Sequence, residues 1–155
     1  MAFHLLRWPE MNDLAELAVA PVVQEPQLRA LHFPLGLLGF EKLKRFELIS
    51  NPGEEPFKWL QALDDPSLAF LVVPPFEAVQ AYQPDISDDD VRSLNLASAE
   101  DALLFGIVTL HRNGQATVNL KGPIVVNRHT WKAKQVVLMN AGKYEVQQPI
   151  LVSAD

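Results

Sequence analysis

The chain has 155 residues, twelve prolines, no cysteine and a formal net charge of −6. Such a length suits one domain and buries about 68–70% of the unfolded surface without staples, and the missing cysteine excludes disulfides, thiolate chemistry and Cys-containing zinc sites. The acidic balance disfavours direct nucleic-acid binding, where phosphate neutralisation dominates affinity; it serves solubility or, on the other reading, a basic protein partner.

The first twenty residues, MAFHLLRWPEMNDLAELAVA, look superficially like a signal peptide. Glu10, Asp13 and Glu16 interrupt the apolar stretch and no basic opening region precedes it. No run approaches the ~18 apolar residues of a membrane span. The expectation is a cytoplasmic protein without membrane contact. Residues 14–19 fit a helical turn or a strand, and the period does not decide. From there the prolines cut the chain into short pieces, which favours strands over long helices.

Residues 28–33 read as a strand, 34–39 as a turn with two glycines, and 46–49 as a second strand. Two apolar runs follow, 57–63 and 68–73, joined by Asp65-Pro66-Ser67-Leu68. Asp at the first position and Pro at the second mark a type I turn, so the pair reads as a buried hairpin. Pro74 and Pro75 stop it, because neither donates to a sheet ladder.

Ser87 before Asp88, Asp89 and Asp90 is a helix start: the hydroxyl caps free amides and the carboxylates meet the positive end of the dipole. Val91 and Leu94 supply its apolar face and Asn95 a left-handed stop, for about two turns. Residues 102–110 form a strand running into Asn113-Gly114, a type I′ hairpin signal. Residues 116–120 return, with alternating sides, until Gly122-Pro123 breaks them. The strand resumes at 124–126, 127–130 turn, and a strand at 132–138 closes an antiparallel meander. The predicted fold is all-β: a small antiparallel β-barrel or strongly bent sheet with one short helix.

Chemistry is hard to find in this sequence. His4, His32, His111 and His129 lie far apart in no metal spacing, and no serine sits in a nucleophile elbow. Gly36-Leu37-Leu38-Gly39 is a turn pair rather than a nucleic-acid clamp, since basic neighbours are missing. Asp88, Asp89 and Asp90 lack the alternating ligands, central Gly and closing Glu of a calcium loop; they read as a solvated helix N-terminus. Glu54-Glu55 and Asp64-Asp65 sit beside prolines in turns, where acceptor side chains stabilise backbone. No catalytic residue, metal or cofactor is assigned. Phe33, Phe40, Phe57, Trp59 and Phe76 cluster near turns; they are core residues or, for one or two of them, anchors at a protein interface.

Three stretches resemble the FliW-type flagellar assembly factors, in that family's order and spacing. They are FPLGLLGFEKLKRFELI (33–49), EPFKWLQALDDPSLAFLVV (55–73) and TVNLKGPIVVN (117–127). Phe33, Pro34, Gly36, Gly39, Phe40, Phe57, Trp59, Leu60, Asp64, Asp65, Pro66, Asn119, Lys121 and Pro123 match its pattern, and most of them are expected to define the fold. The resemblance implies one FliW-like domain over residues 1–155, with 1–27 departing from the family pattern. Ala81 stands before Tyr82 where the family often has Asp. The implied role is non-enzymatic. Such a protein binds newly made flagellin; once flagellin is exported, it binds the RNA-binding regulator CsrA and relieves its block on flagellin translation. Glu54, Glu55, Phe57, Trp59, Asp64, Asp65, Asp88, Asp89 and Asp90 are the partner-binding candidates. Two other classes stay open for a small barrel. One is a ligand- or flavin-binding domain. The other is an oligonucleotide-binding barrel, against which the lack of a basic strand interleaved with aromatics argues.

Overall fold

The computed structural model describes residues 25–150; His4 and the 14–19 segment lie outside them. Among the described residues nine strands and one α-helix, with three single-turn 3-10 helices between them, follow in chain order: β1 (Gln27–His32), β2 (Arg45–Ser50), β3 (Lys58–Ala62), β4 (Ala69–Val73), α1 (Asp88–Ser93), β5 (Ala102–Leu110), β6 (Ala116–Val118), β7 (Ile124–Asn127), β8 (Ala133–Gln135) and β9 (Gln148–Ile150). One sheet takes them in the order β1-β2-β3-β4-β5-β6-β9, with β7 also on β5 and β8 on β7. Every ladder is antiparallel. The bent-sheet form of the expectation is the observed one. The sheet does not close: among the described residues, the backbone pairing of β1 with the far side is limited to the isolated bridge His32↔Lys132.

Apolar residues of β3 and β4 are buried on both faces, which is why 57–73 reads as largely hydrophobic sequence around its turn. Successive side chains alternate between two clusters. Ile49, Trp59 and Leu71 form a cross-strand row on one side, continued by Val108, Val118 and Leu120. Leu48, Leu60 and Phe70 form the facing row on the other, continued by Phe33, Phe46 and Phe105. Phe33 and Phe46 are fully buried and meet edge-on at 5.0 Å. The 65–68 turn forms as expected, with Leu68 N donating to Asp65 O at 3.0 Å. Leu63 falls outside β3 and is exposed.

β5 is the hinge of the architecture. Its first half pairs with β7 and its second with β6, leaving residues 119–123 opposite 106–107. Gly106 sits at that bend because a Cβ there would lie 2.3 Å from Val118 Cγ2. The excursion is held by Asn119, whose Oδ1 accepts from Lys121 N and Gly122 N at 3.0 Å each. The returning strand therefore ends at Val118, two residues before the predicted limit. β7 and β8 then complete the predicted meander. Pro149 lies on β9, paired with β6 as an edge strand tolerates.

The Asn113-Gly114 turn corrects the type I′ expectation. Only Gly114 has positive φ, at 86°, and Asn113 does not. Gly114 N donates to His111 O at 3.0 Å, and Asn113 Oδ1 accepts from Gln115 N at 2.9 Å. This is a type I turn followed by a left-handed glycine, the bulged hairpin alternative; the Asn113 side-chain bond stabilises that form. A Cβ at Gly114 meets no neighbour within 4 Å, so the cost of Gly114→Val is mainly backbone strain, about 1–3 kcal/mol. A chemical-denaturation midpoint equal to the parent's would contradict this turn.

Candidate functional site

The open end of the sheet leaves one apolar cluster without a lid. On that face, Leu31, Phe46 and Ala62 form a buried row, and Arg29, Leu48 and Leu60 the next. Gln27 and Ser50 pair beyond them, and Lys58 Nζ donates to Ser50 Oγ at 2.9 Å. Apolar packing thus gives way to polar groups at a mouth. From β5, Leu103 and Phe105 reach the same opening.

The mouth extends into a groove of about 1010 Å³. Phe76, just after Pro74 and Pro75, forms part of its wall and remains 43% exposed; it stacks edge-on against Tyr82 at 5.9 Å. Tyr82 itself is buried, donates from its hydroxyl to Leu120 O at 2.8 Å, and has its phenol pKa pushed up by that burial and then by Tyr144. It is an anchor for the loop rather than an acid or base. Leu28, on β1, is 56% exposed at the rim.

Trp131 closes another side. Its φ of 62° is left-handed, a conformation that disfavours a bulky residue. The turn holds it there: Trp131 N donates to Asn127 O at 2.7 Å, while Asn127 Oδ1 accepts from His129 N and Thr130 N. The Arg29 guanidinium lies 4.4 Å from the Trp131 ring centroid, a cation–π contact. Behind the wall, Asp101 Oδ2 accepts from Ala97 N and Ser98 N, and Oδ1 lies 3.0 Å from His129 Nε2. Those two backbone donors, more than the histidine, hold its carboxyl below the usual range.

The predicted candidates do not converge on one spot. Glu54 and Glu55 stand before β3, where Glu54 accepts from Asn51 and Glu55 pairs loosely with Lys58. Asp64 and Asp65 stand at the other end of that strand. Asp64 pairs with Arg45 at 2.6 Å, which lowers its pKa through that hydrogen bond, and Asp65 is tied to Ser67 within the turn. Phe57 is half-buried and Trp59 is only 6% exposed, so Trp59 belongs to the core. On α1, Ser87 Oγ caps Asp90 N at 3.1 Å and Asn95 has φ 57°, both as expected. Asp88 and Asp89 face solvent, Asp89 pairing with Arg92.

Asp90 corrects the picture of three solvated carboxylates. It is buried and held by Lys134 Nζ at 2.5 Å, because it shares the inward face of α1 with Leu94, one turn on. Both Phe76 and Trp131 are walls of the groove; Phe76 was one of the five aromatics read as core or interface anchors but not one of the partner-binding candidates, and Trp131 was in neither set. The two prolines before Phe76 were the available signal for the first, since they expel it from the strand; Trp131 had none. Among the described residues, no group of three His, Asp or Glu side chains is arranged to hold a metal ion, and no helix is long and apolar enough to cross a membrane.

The protein is thus an open, bent antiparallel sheet with an apolar groove at its unclosed end and carboxylates on its turns. Residues 18–150 match the family model described as FliW protein. The chain is 41% identical over 117 residues to a flagellar assembly factor FliW of Leptospira biflexa, covering 74% of this chain and 76% of that protein. It is 40% identical to the same-named factor of Treponema denticola, covering 75% and 78%. A crystal structure of the flagellar assembly factor FliW superimposes with a TM-score of 0.70 at 30% identity, covering 81% of this chain and 88% of that one. The chain belongs to the FliW family of flagellar assembly factors.

Proposed function

We propose that this protein is a non-catalytic cytoplasmic regulator that binds flagellin and a CsrA-type RNA-binding regulator, one at a time. When flagellin is exported, the freed protein takes the regulator and relieves repression of flagellin translation. Family membership over residues 18–150 carries the proposal. The surface supports it physically. Exposed Asp88, Asp89, Glu55 and Asp65 on an acidic chain suit a cationic RNA-binding surface, whereas an apolar groove suits a hydrophobic face of flagellin.

The two contacts then respond differently to salt. The Debye length is about 8 Å at ~0.15 M ionic strength and shrinks further above it. Association with the purified regulator is expected to slow severalfold as salt rises, while affinity for monomeric flagellin changes little. The protein alone is expected to leave a short RNA unshifted in a gel. Retention of neither partner at low salt would overturn the assignment.

A further inference from the structure

The groove is electrostatically unlike the rest of the molecule. In a chain of net charge −6, it is lined by Arg29, Lys58 and Arg128, and no carboxylate is among its described lining residues. Its lining is otherwise mostly apolar, with Leu28 at the rim and Phe76 in the wall left substantially exposed. An apolar trough with a cationic rim selects an occupant that is apolar and acidic in alternation.

We propose that the occupant is this chain's own N-terminal segment, residues 1–24. Three observations meet there. The described chain starts at Glu25, and within the next four residues Gln27, Leu28 and Arg29 already form a wall of the groove. The segment therefore joins the domain at the rim. Its sequence has the complementary character: Glu10, Asp13 and Glu16 recur at intervals of three around Leu14 and Leu17, with Arg7 as its single Lys or Arg. Reach is not limiting, because an extended chain spans ~3.3 Å per residue and Leu17 lies eight residues before Glu25. A short tether also gives an effective concentration of about millimolar, so a contact too weak to hold a free peptide is populated when tethered.

On the reading that the groove takes flagellin, the segment is a built-in competitor that flagellin must displace. That consequence rests on the proposed function; the docking does not. The chain has no native cysteine, so Asn12→Cys carries a single nitroxide label on the otherwise complete protein. Amide signals of Leu28, Gln83, Ala97 and Ser98 at the groove are expected to broaden, while those of Asp64, Asp65 and Ser67, at the opposite end of β3 from Lys58, are not. Replacing Glu10, Asp13 and Glu16 together by Lys is expected to reduce that broadening at least threefold. Groove amides that are unaffected in the labelled parent overturn the proposal, as does equal broadening after the charge reversal. Broadening that persists when label and isotope are on different copies overturns it in favour of a second copy as occupant. No partner is needed in this measurement, so its failure is separate from failure of the flagellin assignment.

Discussion

Trp59→Ala is expected to destabilise the fold by about 3–5 kcal/mol, the usual cost of removing a buried large aromatic. Trp59, the second residue of β3, lies between Ile49 on β2 and Leu71 on β4, and all three are buried on one face. That row joins the sheet to the cluster formed by Val108, Val118 and Leu120, so a void there loses contacts on two layers. With net stabilities of about 5–15 kcal/mol, such a loss leaves a marginal protein. Urea unfolding of parent and variant measures it. A midpoint lowered only slightly, with partner binding abolished, would make Trp59 an interface anchor and contradict its place in the core.

Asp90→Ala is expected to cost about 3 kcal/mol, the low end for breaking a buried ion pair. The low end applies because the Lys134 side chain keeps 25% of its exposure against 12% for Asp90, so the orphaned ammonium regains some water. The pair fastens α1 to β8, which shares no direct ladder with it. Asp88→Lys with Asp89→Lys is expected to cost only about 1 kcal/mol, because two exposed carboxylates leave the positive end of the helix dipole, while slowing association with a basic regulator. Parallel thermal melts of the two variants separate them. Equal destabilisation by both would contradict the division of the helix into an inward and an outward face. A reversal of all three aspartates at once confuses folding with binding and tests neither.

The local elements were legible because each is specified by neighbours in sequence. Ser87 and Asn95 mark the ends of α1 by chemistry the backbone obeys directly, and Asp65-Pro66 sets its turn in the same way. What was not legible depends on contacts distant in sequence. The double pairing of β5 needs Gly106 beneath Val118, and neither residue signals the other. Asp90 reads as solvated until Lys134, 44 residues away, is placed beside it. At Asn113-Gly114 the residue types were right and the turn was not, because an asparagine side chain that bonds its own backbone competes with the left-handed φ a type I′ turn requires. The groove is the extreme case: its walls come from β1, the residues after β4, the loop before α1, β5 and the turn before β8. Of these, only the prolines before Phe76 hinted at an exposed aromatic.

The central claim is that one acidic protein serves two partners by exclusion. The most direct measurement loads the purified protein with a labelled CsrA-type regulator and titrates in monomeric flagellin, following the regulator by size-exclusion chromatography or fluorescence anisotropy. Displacement of the regulator in proportion to added flagellin, with no species containing all three chains, is the expected result. A stable ternary complex, or a regulator signal indifferent to flagellin that is itself bound, would contradict it.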